Sequence, residues 1–181
     1  MPTIRQLTPS DTAAYRELRL ASLRDFQFAH GPDHEEALAK GLDWHARRLA
    51  KQDYHWFGAF DGAQSDAPLV GAICLRMQEG RRLRHAASLN SLMVARSHQR
   101  AGIGRLLVAH LIGFARSLGT VRQLTLEVNE SNLPARRLYD SFGFRQFGLE
   151  PDAIHHEGRY CAKQHLVLSL VSQHPNEQPI S

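Results

Sequence analysis

The chain has 181 residues, 43% of them hydrophobic, which is enough apolar material for one domain with its own core. Its formal net charge of +4 favours an anionic partner, but the basic residues are spread along the chain and do not single out nucleic acid over a small anionic ligand. No basic start is followed by an apolar stretch and no run of eighteen apolar residues occurs, so we expect a cytoplasmic protein with neither an export signal nor a membrane partner.

The first part of the chain predicts one strand and two helices. Residues 3–7 form a short strand candidate, and Thr8-Pro9-Ser10-Asp11 has the capping-box pattern that starts a helix reaching about Arg24. Residues 26–33 contain a Gly-Pro pair typical of a loop, and residues 35–51 have the composition of a second helix with a weak apolar stripe. One face of the first helix is expected to carry Tyr15, Leu18 and Ser22.

The middle of the chain predicts three strands and a strongly amphipathic helix. Residues 54–60 and 69–77 are rich in aromatic and aliphatic side chains and are joined by a polar stretch, which indicates a hairpin. A third strand over residues 85–94 leads through a glycine-containing segment into a periodic helix that ends at Gly119. The apolar stripe predicted for this helix consists of Ile103, Leu106, Leu107, His110, Leu111, Phe114 and Leu118.

The last part predicts a strand, a helix and two further strands. Residues 123–128 alternate, with Leu124, Leu126 and Val128 on one face and Thr125 and Glu127 on the other. Strands and helices interleave without a strict βαβ rhythm, so the pattern predicts an α/β or α+β domain with one mixed sheet. The remaining predicted elements are a helix over 133–142, strands over 144–149 and 160–171, and a disordered polar tail over 172–181, which leaves a single domain over 1–171.

The cysteines and histidines do not form a metal-binding pattern. Cys74 and Cys161 each lie in an apolar, strand-like run and lack the spacing of a C-x-x-C site, so we predict two reduced core thiols. Among the eleven histidines, His30 and His34 have helical spacing, but the Gly-Pro pair between them breaks the helix that such a ligand pair needs. The sequence therefore predicts no metal.

A segment before the periodic helix carries the strongest chemical signal. It reads Gln99-Arg100-Ala101-Gly102-Ile103-Gly104. Two glycines at a helix start let the backbone approach a bulky ligand, and the N–H groups of the first helical turn bind phosphate. The spacing fits neither a P-loop nor a dinucleotide fingerprint. Taken alone, the segment indicates either a phosphate site or a turn that only lets the strand and the helix pack.

Two motifs in a fixed order extend this signal to a family. Leu92-Met93-Val94 followed by Gln99-x-x-Gly102-x-Gly104 resembles the acetyl-CoA motif Q/R-x-x-G-x-G/A of the GNAT N-acetyltransferases. Residues 132–144 resemble that family's second motif, N-x-x-A-x-x-L-Y-x-x-x-G-F. The resemblance implies the GNAT acyl-CoA N-acyltransferase fold, a mixed and twisted sheet of six or seven strands flanked by about four helices. It also implies that the sheet opens to admit the coenzyme between the strand ending near Val94 and the strand beginning near Gln123.

The same resemblance implies which residues hold acetyl-CoA. The backbone of Met93 and Val94 would pair with the pantetheine arm like an added strand. Asn132 would hold the pantetheine amide region, although an asparagine there is also a helix cap. Arg96 stands where the family often has proline, which leaves the exact path of the loop open. The pyrophosphate would be surrounded by N–H groups and positive charge from Gln99, Arg100, Gly102, Ile103, Gly104 and Arg105.

Acetylation of an amine needs a proton acceptor, because an alkyl ammonium has a pKa of about 10 and offers no free lone pair at neutral pH. Glu127 is the predicted general base, since some members of the family keep a base at this place, twelve residues before the motif tyrosine. Two alternatives stay open. The carboxylate is exposed near the sheet edge or paired with an arginine, or a different base or a water chain takes the proton.

The departing CoA thiolate needs a proton or a hydrogen bond. Tyr139 matches the family tyrosine that serves this step beside the coenzyme sulfur, and the alternative is a core aromatic with its hydroxyl at the surface. The N–H of Val94 is a candidate to stabilise charge on the thioester oxygen. No cysteine or serine is set beside a histidine as a nucleophile, so we expect direct transfer in a ternary complex.

We therefore predict an enzyme, an N-acetyltransferase that moves acetyl from acetyl-CoA to a primary amine of a small molecule or a protein. Two other classes stay open: a non-catalytic acyl-CoA-binding regulatory domain, and a basic nucleic-acid-associated module that would use the arginines at 81, 82 and 84. We expect no nucleic acid partner, and a homodimer remains an open assembly state. Acceptor selection is assigned to residues 26–33, 43–54 and 151–159. In or directly before the last region, Glu150, Asp152 and Glu157 either recognise a cationic amine or are only solvated.

Overall fold

The computed structural model describes residues 2–26, 33–64 and 66–171. Over these residues the chain forms seven strands and five α-helices. The strands are β1 (Thr3–Gln6), β2 (Tyr54–Phe60), β3 (Leu69–Met77), β4 (Ala86–Val94), β5 (Gln123–Asn129), β6 (Arg145–His156) and β7 (Arg159–Ser169). The helices are α1 (Thr12–Asp25), α2 (His34–Leu38), α3 (Leu42–Leu49), α4 (Ile103–Ser117) and α5 (Leu133–Ser141).

All seven strands belong to one sheet in the order β1-β2-β3-β4-β5-β7-β6. Each neighbouring pair is antiparallel except β4 and β5, which are parallel because α4 carries the chain across between them. The predicted mixed sheet of six or seven strands is confirmed. The prediction of about four helices is one short, because the single helix expected over 35–51 is two helices, with Gly41 capping α3.

The parallel seam between β4 and β5 is short. Pairing joins only residues 86–88 of β4 to residues 123–125 of β5, although both strands continue for several residues beyond. The predicted opening between these strands is therefore present. On its other side β4 bulges against β3, because Ala72 faces Met93 while Cys74 faces Asn90. Ser91 takes a left-handed backbone conformation in this bulge, with φ of 54°.

Helices cover both faces of the sheet, and the side chains of each strand alternate between two cores. On the face that we call the α4 face, α4 and α5 pack against residues such as Ile73, Leu75 and Leu126. On the opposite face, which we call the α1 face, α1 and α3 pack against residues such as Cys74 and Trp56. The face of the sheet on which a strand side chain lies therefore determines whether it contacts α4 and α5 or α1 and α3.

The apolar stripe of α4 differs from the predicted one. Leu106 is 45% exposed and His110 is also exposed, although His110 still touches the ring of Phe57 at its edge. The buried stripe is rotated around the helix axis by about one residue position from the predicted one. The helical period of the apolar residues predicts that a stripe exists but does not fix the residue on which it is centred. Its buried members are Ile103, Leu107, Val108, Leu111, Ile112 and Ala115.

β6 is longer than predicted, whereas β7 begins one residue earlier and ends two residues earlier than predicted. β6 runs through residues 151–156, which the sequence indicated as a loop, and forms a hairpin with β7. Register shifts between Glu150 and Ile154, where Asp152 has a φ of 51°, break the alternation that would have revealed a strand. Residues 27–32 of the expected loop and the expected tail over 172–181 lie outside the described residues.

The two cysteines are free, and their environments differ. Cys74 is buried, and burial raises the pKa of its thiol to about 12, whereas Cys161 is only half-buried. Within residues 2–26, 33–64 and 66–171, no cluster of three or more His, Cys, Asp or Glu side chains could hold a metal ion. None of the helices in the described part of the chain is long and apolar enough to cross a membrane.

Candidate active site

A cleft of about 1310 Å³ opens where β4 and β5 diverge. The start of α4 forms one wall, β5 and α5 form the other, and the cleft continues beneath α1 and α3. Every predicted site residue lines this cleft, although Met93 and Tyr139, the first and the last of them, are 46 positions apart in the sequence. These residues are Met93, Val94, Gln99, Arg100, Gly102, Ile103, Gly104, Arg105, Glu127, Asn132 and Tyr139.

The glycine loop ends in a helix start that faces the cleft. Gly102 caps α4 with a φ of 80°, and Arg100 just before it has a φ of 63°, so the chain turns sharply here. The first helical hydrogen bond runs from the N–H of Leu106 to the carbonyl of Gly102 at 3.0 Å. The N–H groups of Ile103, Gly104 and Arg105 precede it and have no acceptor within the helix, which is the arrangement that binds phosphate.

The space around Gly102 and Gly104 distinguishes the two interpretations of this segment, a phosphate site or a turn that only lets the strand and the helix pack. A Cβ atom at Gly102 would have nothing within 4 Å, and one at Gly104 would meet only Leu138 Cδ2 at 3.5 Å and Val94 Cγ2 at 3.9 Å. These are ordinary contacts, so protein packing does not demand glycine at position 104. The loop therefore leaves open space beside unpaired amides, which fits a pyrophosphate group.

Arg105 adds positive charge from a fixed position in this wall. Its Nη1 donates a hydrogen bond to Ser141 Oγ at 3.1 Å, and its guanidinium lies 5.1 Å from the ring centroid of Phe142. Both partners belong to α5 or follow it directly, so the side chain links α4 to α5 across one end of the cleft.

Asn132 caps α5, as its sequence position predicts. Its Oδ1 accepts the N–H of Ala135 at 3.2 Å, and Pro134 occupies the first turn, where its missing N–H has no cost. The preceding turn is held by Asn129, whose Oδ1 accepts hydrogen bonds from the N–H and the Oγ of Ser131, each at 2.9 Å. The side-chain oxygen of Asn132 is therefore already occupied by the cap. Its side-chain NH2 group is the part that would contact a ligand.

Tyr139 lies in the α4-face core and also lines the cleft. The side chain is 5% exposed, and its ring packs edge-on against Phe144 with centroids 5.8 Å apart. Burial raises the pKa of the Tyr139 hydroxyl above its ordinary value, because the phenolate would be poorly solvated there. The hydroxyl therefore stays protonated at neutral pH and can act as a hydrogen-bond donor.

Glu127 lines the cleft on the other side of the sheet. Its neighbours Leu126 and Val128 belong to the α4-face core, so Glu127 points to the α1 face. Its side chain is 58% exposed, and its Oε2 lies 3.4 Å from Nζ of Lys163 on β7. The structure thus contains the ion-paired carboxylate that the sequence left as an alternative, with a lysine as partner in place of an arginine.

Among the cleft residues to which the sequence gave no individual role are three arginines: Arg19 on α1, Arg48 on α3 and Arg76 on β3. Arg48 falls within residues 43–54, which were assigned to acceptor selection as a region. One signal could have revealed Arg19. Arg19 lies four positions after Tyr15 and next to Leu18, on the face of α1 that was predicted to be buried, and a charged residue in a buried stripe is unusual. Arg48 and Arg76 have no such signal.

Each region to which acceptor selection was assigned reaches the cleft. Phe26, Arg48, Tyr54 and Ile154 are among its lining residues. Glu150, Asp152 and Glu157 do not line the cleft, and Glu150 lies 3.4 Å from Nε2 of His165 instead. In the described part of the chain, recognition of a cationic amine by Glu150, Asp152 and Glu157 therefore finds no support.

Comparisons with known proteins agree with this geometry. The sequence profile of the Acetyltransferase (GNAT) family matches residues 15–144. The [ribosomal protein bS18]-alanine N-acetyltransferases of Salmonella typhimurium and Escherichia coli K12 are each 43% identical to this chain over 60 residues. The match covers 33% of this chain and spans only 40% of the length of those relatives.

Solved structures resemble the whole fold. A GNAT-family acetyltransferase from Streptococcus pneumoniae has a TM-score of 0.81 at 22% identity, covering 93% of this chain and 99% of its own. A putative acetyltransferase from Salmonella typhimurium, solved with its cofactor acetyl-CoA, has a TM-score of 0.74 at 22% identity, with 98% of both chains covered. A putative phosphinothricin N-acetyltransferase has a TM-score of 0.80 at 18% identity, covering 95% of this chain and 100% of its own. Such low identities establish the common fold.

Proposed function

Because the chain belongs to the GNAT family of acetyltransferases, we propose that it is an acetyl-CoA-dependent N-acetyltransferase whose acceptor is a primary amine. One observation carries the proposal. At one end of the gap between β4 and β5 lies a helix start with unpaired N–H groups, and Glu127 and Tyr139 lie beside the gap on opposite faces of the sheet.

The coenzyme half of the cleft is the part formed by the end of β4, the glycine loop and α5. Here the amides that follow Gly102 would hold the pyrophosphate, with charge from Arg100 and Arg105. The β4 backbone at Met93 and Val94 would pair with the pantetheine arm, since β5 has already turned away at this point. Acetyl-CoA bound in this way would supply an acetyl group activated as a thioester.

The two faces of the sheet divide the proton chemistry. Glu127 faces the α1 side, where it would take a proton from the acceptor ammonium, directly or through a water molecule. Tyr139 faces the α5 side, where its protonated hydroxyl would donate a hydrogen bond to the departing sulfur. The amine and the leaving thiolate would thus meet different residues, and the cleft needs no nucleophile of its own.

Calorimetry with acetyl-CoA, followed by a coupled assay of CoA release with a panel of amines, tests the proposal. We expect saturable binding of acetyl-CoA and release of CoA only when a suitable amine is present. Absence of binding to the folded protein would overturn the proposal. Binding without release for any amine would favour a regulatory acyl-CoA-binding domain, and a nucleic acid affinity that falls steeply with salt would favour the third class. The cytoplasmic location and the homodimer remain predictions, to be checked by cell fractionation and light scattering.

A further inference from the structure

Several arginines outside the glycine loop line the cleft. We call Arg19, Arg48 and Arg76 the arginine cluster. Arg76 faces Ser88 across the β3–β4 ladder, at the point where β4 still pairs with β5. Ser88 is six positions before Val94, so Arg76 lies roughly 20 Å along the strand from the glycine loop at about 3.3 Å per residue. Arg76 is therefore well separated from the proposed pyrophosphate site, and Arg48 lies between the two, beside Ser91.

The cluster lies on the same side of the sheet as Glu127. Leu75 belongs to the α4-face core, so Arg76 next to it points to the α1 face. Arg19 and Arg48 extend from α1 and α3, which cover that face. The proposed base and the arginines consequently share the acceptor half of the cleft, by which we mean the part lined by α1, α3, β3 and the α1 face of β5.

The arginines are held by neutral groups. Nε of Arg48 donates to the hydroxyl of Tyr15 at 3.2 Å, its Nη2 lies 3.4 Å from Ser91 Oγ, and its guanidinium lies 5.1 Å from the ring centroid of Trp56. Arg19 is 6% exposed, and its Nε has no hydrogen-bond acceptor among the described residues. Burial lowers the pKa of Arg19 from its usual value, because the charged guanidinium is poorly solvated there, and the nearby charge of Arg48 acts in the same direction.

The acidic residues in the cleft are already engaged elsewhere. Asp25 and Glu127 are the acids among the described residues that line it. Asp25 Oδ1 lies 3.0 Å from Nε of Arg24, and Glu127 pairs with Lys163. The ion pairs formed by the described residues give none of the three cluster arginines a carboxylate partner. Arg19 is buried, Arg48 is half-buried and Arg76 is exposed at the cleft surface. The buried charge of Arg19 without an anion is costly, unless a ligand supplies that anion.

We propose that the acceptor is a small amine that also carries an oxyanion, a carboxylate or a phosphate, which the arginine cluster binds while the amino group reaches Glu127. This inference rests on the proposed function, because it names the chemistry of the acceptor for that reaction. The guanidinium fork matches carboxylate and phosphate oxygens in a bidentate geometry. Because Arg19 is buried, the oxyanion has to enter the end of the cleft, which suits a compact acceptor.

Matched pairs of amines test the proposal on the full chain. The carboxylate arm compares amino acids with their carboxamides, the phosphate arm compares phosphoethanolamine with ethanolamine, and diamines serve as cationic acceptors. We expect at least one oxyanion-bearing amine to exceed its uncharged partner in kcat/KM by about 30-fold or more, and the diamines to be the poorest acceptors. The arm with the larger ratio identifies the oxyanion.

Variants then locate the oxyanion in the cleft. Arg76→Met should raise KM for the preferred acceptor by about tenfold and leave the Kd for acetyl-CoA unchanged. Arg19→Met should have the same effect, and its thermal unfolding is measured because the residue is buried. Arg81→Met, an exposed arginine that does not line the cleft, is the matched control and should change neither value.

The outcomes separate this inference from the function on which it rests. Equal efficiency for amines of every charge, a preference for diamines, or activity confined to peptides would overturn the inference and leave the acetyltransferase proposal standing. The same holds if Arg76→Met and Arg19→Met both keep the wild-type charge preference. Failure of acetyl-CoA to bind, or binding without CoA release for the entire panel, would remove both proposals.

Discussion

The two halves of the cleft are built by different means. The coenzyme half comes from residues 92–144 and uses main-chain amides, two glycines and the gap beside β4. The acceptor half collects Arg19, Arg48, Arg76 and Lys163 from elements that are far apart in the chain. A main-chain site needs a fixed spacing of residues, whereas a side-chain site needs only that the fold bring its members together. The first half is therefore suited to one constant ligand, and the second can change its ligand through single substitutions.

The largest expected effect concerns Glu127, which connects the two halves. Glu127→Gln should lower kcat at pH 7 by about 100-fold, because the carboxamide cannot take the proton of the acceptor. Activity should recover as the pH rises, since more of the amine is then neutral. A pH–rate profile checks both statements. The same deficit at every pH would assign the proton to another group, and Glu79→Gln, on an exposed residue outside the cleft, should behave as wild type.

The next effect tests whether the coenzyme half depends on its main-chain path. Gly102→Val places a branched side chain at a φ of 80° and should weaken acetyl-CoA binding by about 30-fold in calorimetry. Gly158→Val is the matched control, because Gly158 has a φ of 75°, equally open surroundings and no place in the cleft. It should lose similar stability and keep its affinity. Equal affinities of the two variants would break the distinction between the halves.

A smaller effect is expected at Tyr139, the side chain on which the coenzyme half relies. Tyr139→Phe should lower turnover by about tenfold with nearly unchanged acetyl-CoA affinity, because the phenyl ring keeps its contact with Phe144 and only the donor is lost. Burial raises the pKa of the Tyr139 hydroxyl, so the hydroxyl should stay protonated near pH 10. The turnover of the wild type and of the variant should therefore change with pH in the same way around pH 10. Unchanged turnover in single-turnover kinetics would remove Tyr139 from the mechanism.

The smallest effect probes the positive environment of the acceptor half through a buried histidine. Burial, and then the charges of Arg19, Arg16, Arg48 and Lys40, lower the pKa of His45 to about 4 from 6.5. The unfolded chain binds a proton at pH 5 that the folded chain does not, so stability falls as the pH drops from about 6.5 towards 4. Urea unfolding at pH 7 and pH 5 should show this loss.

His45→Phe should be less sensitive to pH than the wild type by on the order of 1 kcal/mol, because its side chain carries no titrating group. The aromatic ring preserves the edge contacts that His45 makes with Tyr15 and Trp44. An identical pH response in both proteins would show that the imidazole does not experience the surrounding arginines.

The sequence predicted the coenzyme half far better than the rest. The order of strands and helices along the chain and the cap at Asn132 follow from local patterns, namely alternation, glycine spacing and capping chemistry. The opening between β4 and β5 was expected only from the resemblance to the GNAT family. The break at Gly41 was missed because one glycine inside a helical pattern is often tolerated. The strand through Asp152 was missed because register shifts remove its alternation.

The arginine cluster was missed for a different reason. Arg48 and Arg76 are 28 positions apart, and each has an ordinary local context, a basic residue near a helix end and a polar residue near the end of a strand. Only the packing of α3 and β3 around one cleft gives them a common role. The residues assigned to coenzyme binding and catalysis do lie together, and their individual roles remain proposals that the variants above test.

The short seam between β4 and β5 gives this sheet four edges instead of two. Besides β1 and β6 at the outer borders, the far ends of β4 and β5 each present one side that the described strands do not pair. Such borders invite unwanted pairing with other chains. If the pantetheine arm lies along β4 as proposed, the coenzyme serves the resting protein as a missing strand, and amide hydrogen exchange at Met93 and Val94 should slow when it binds.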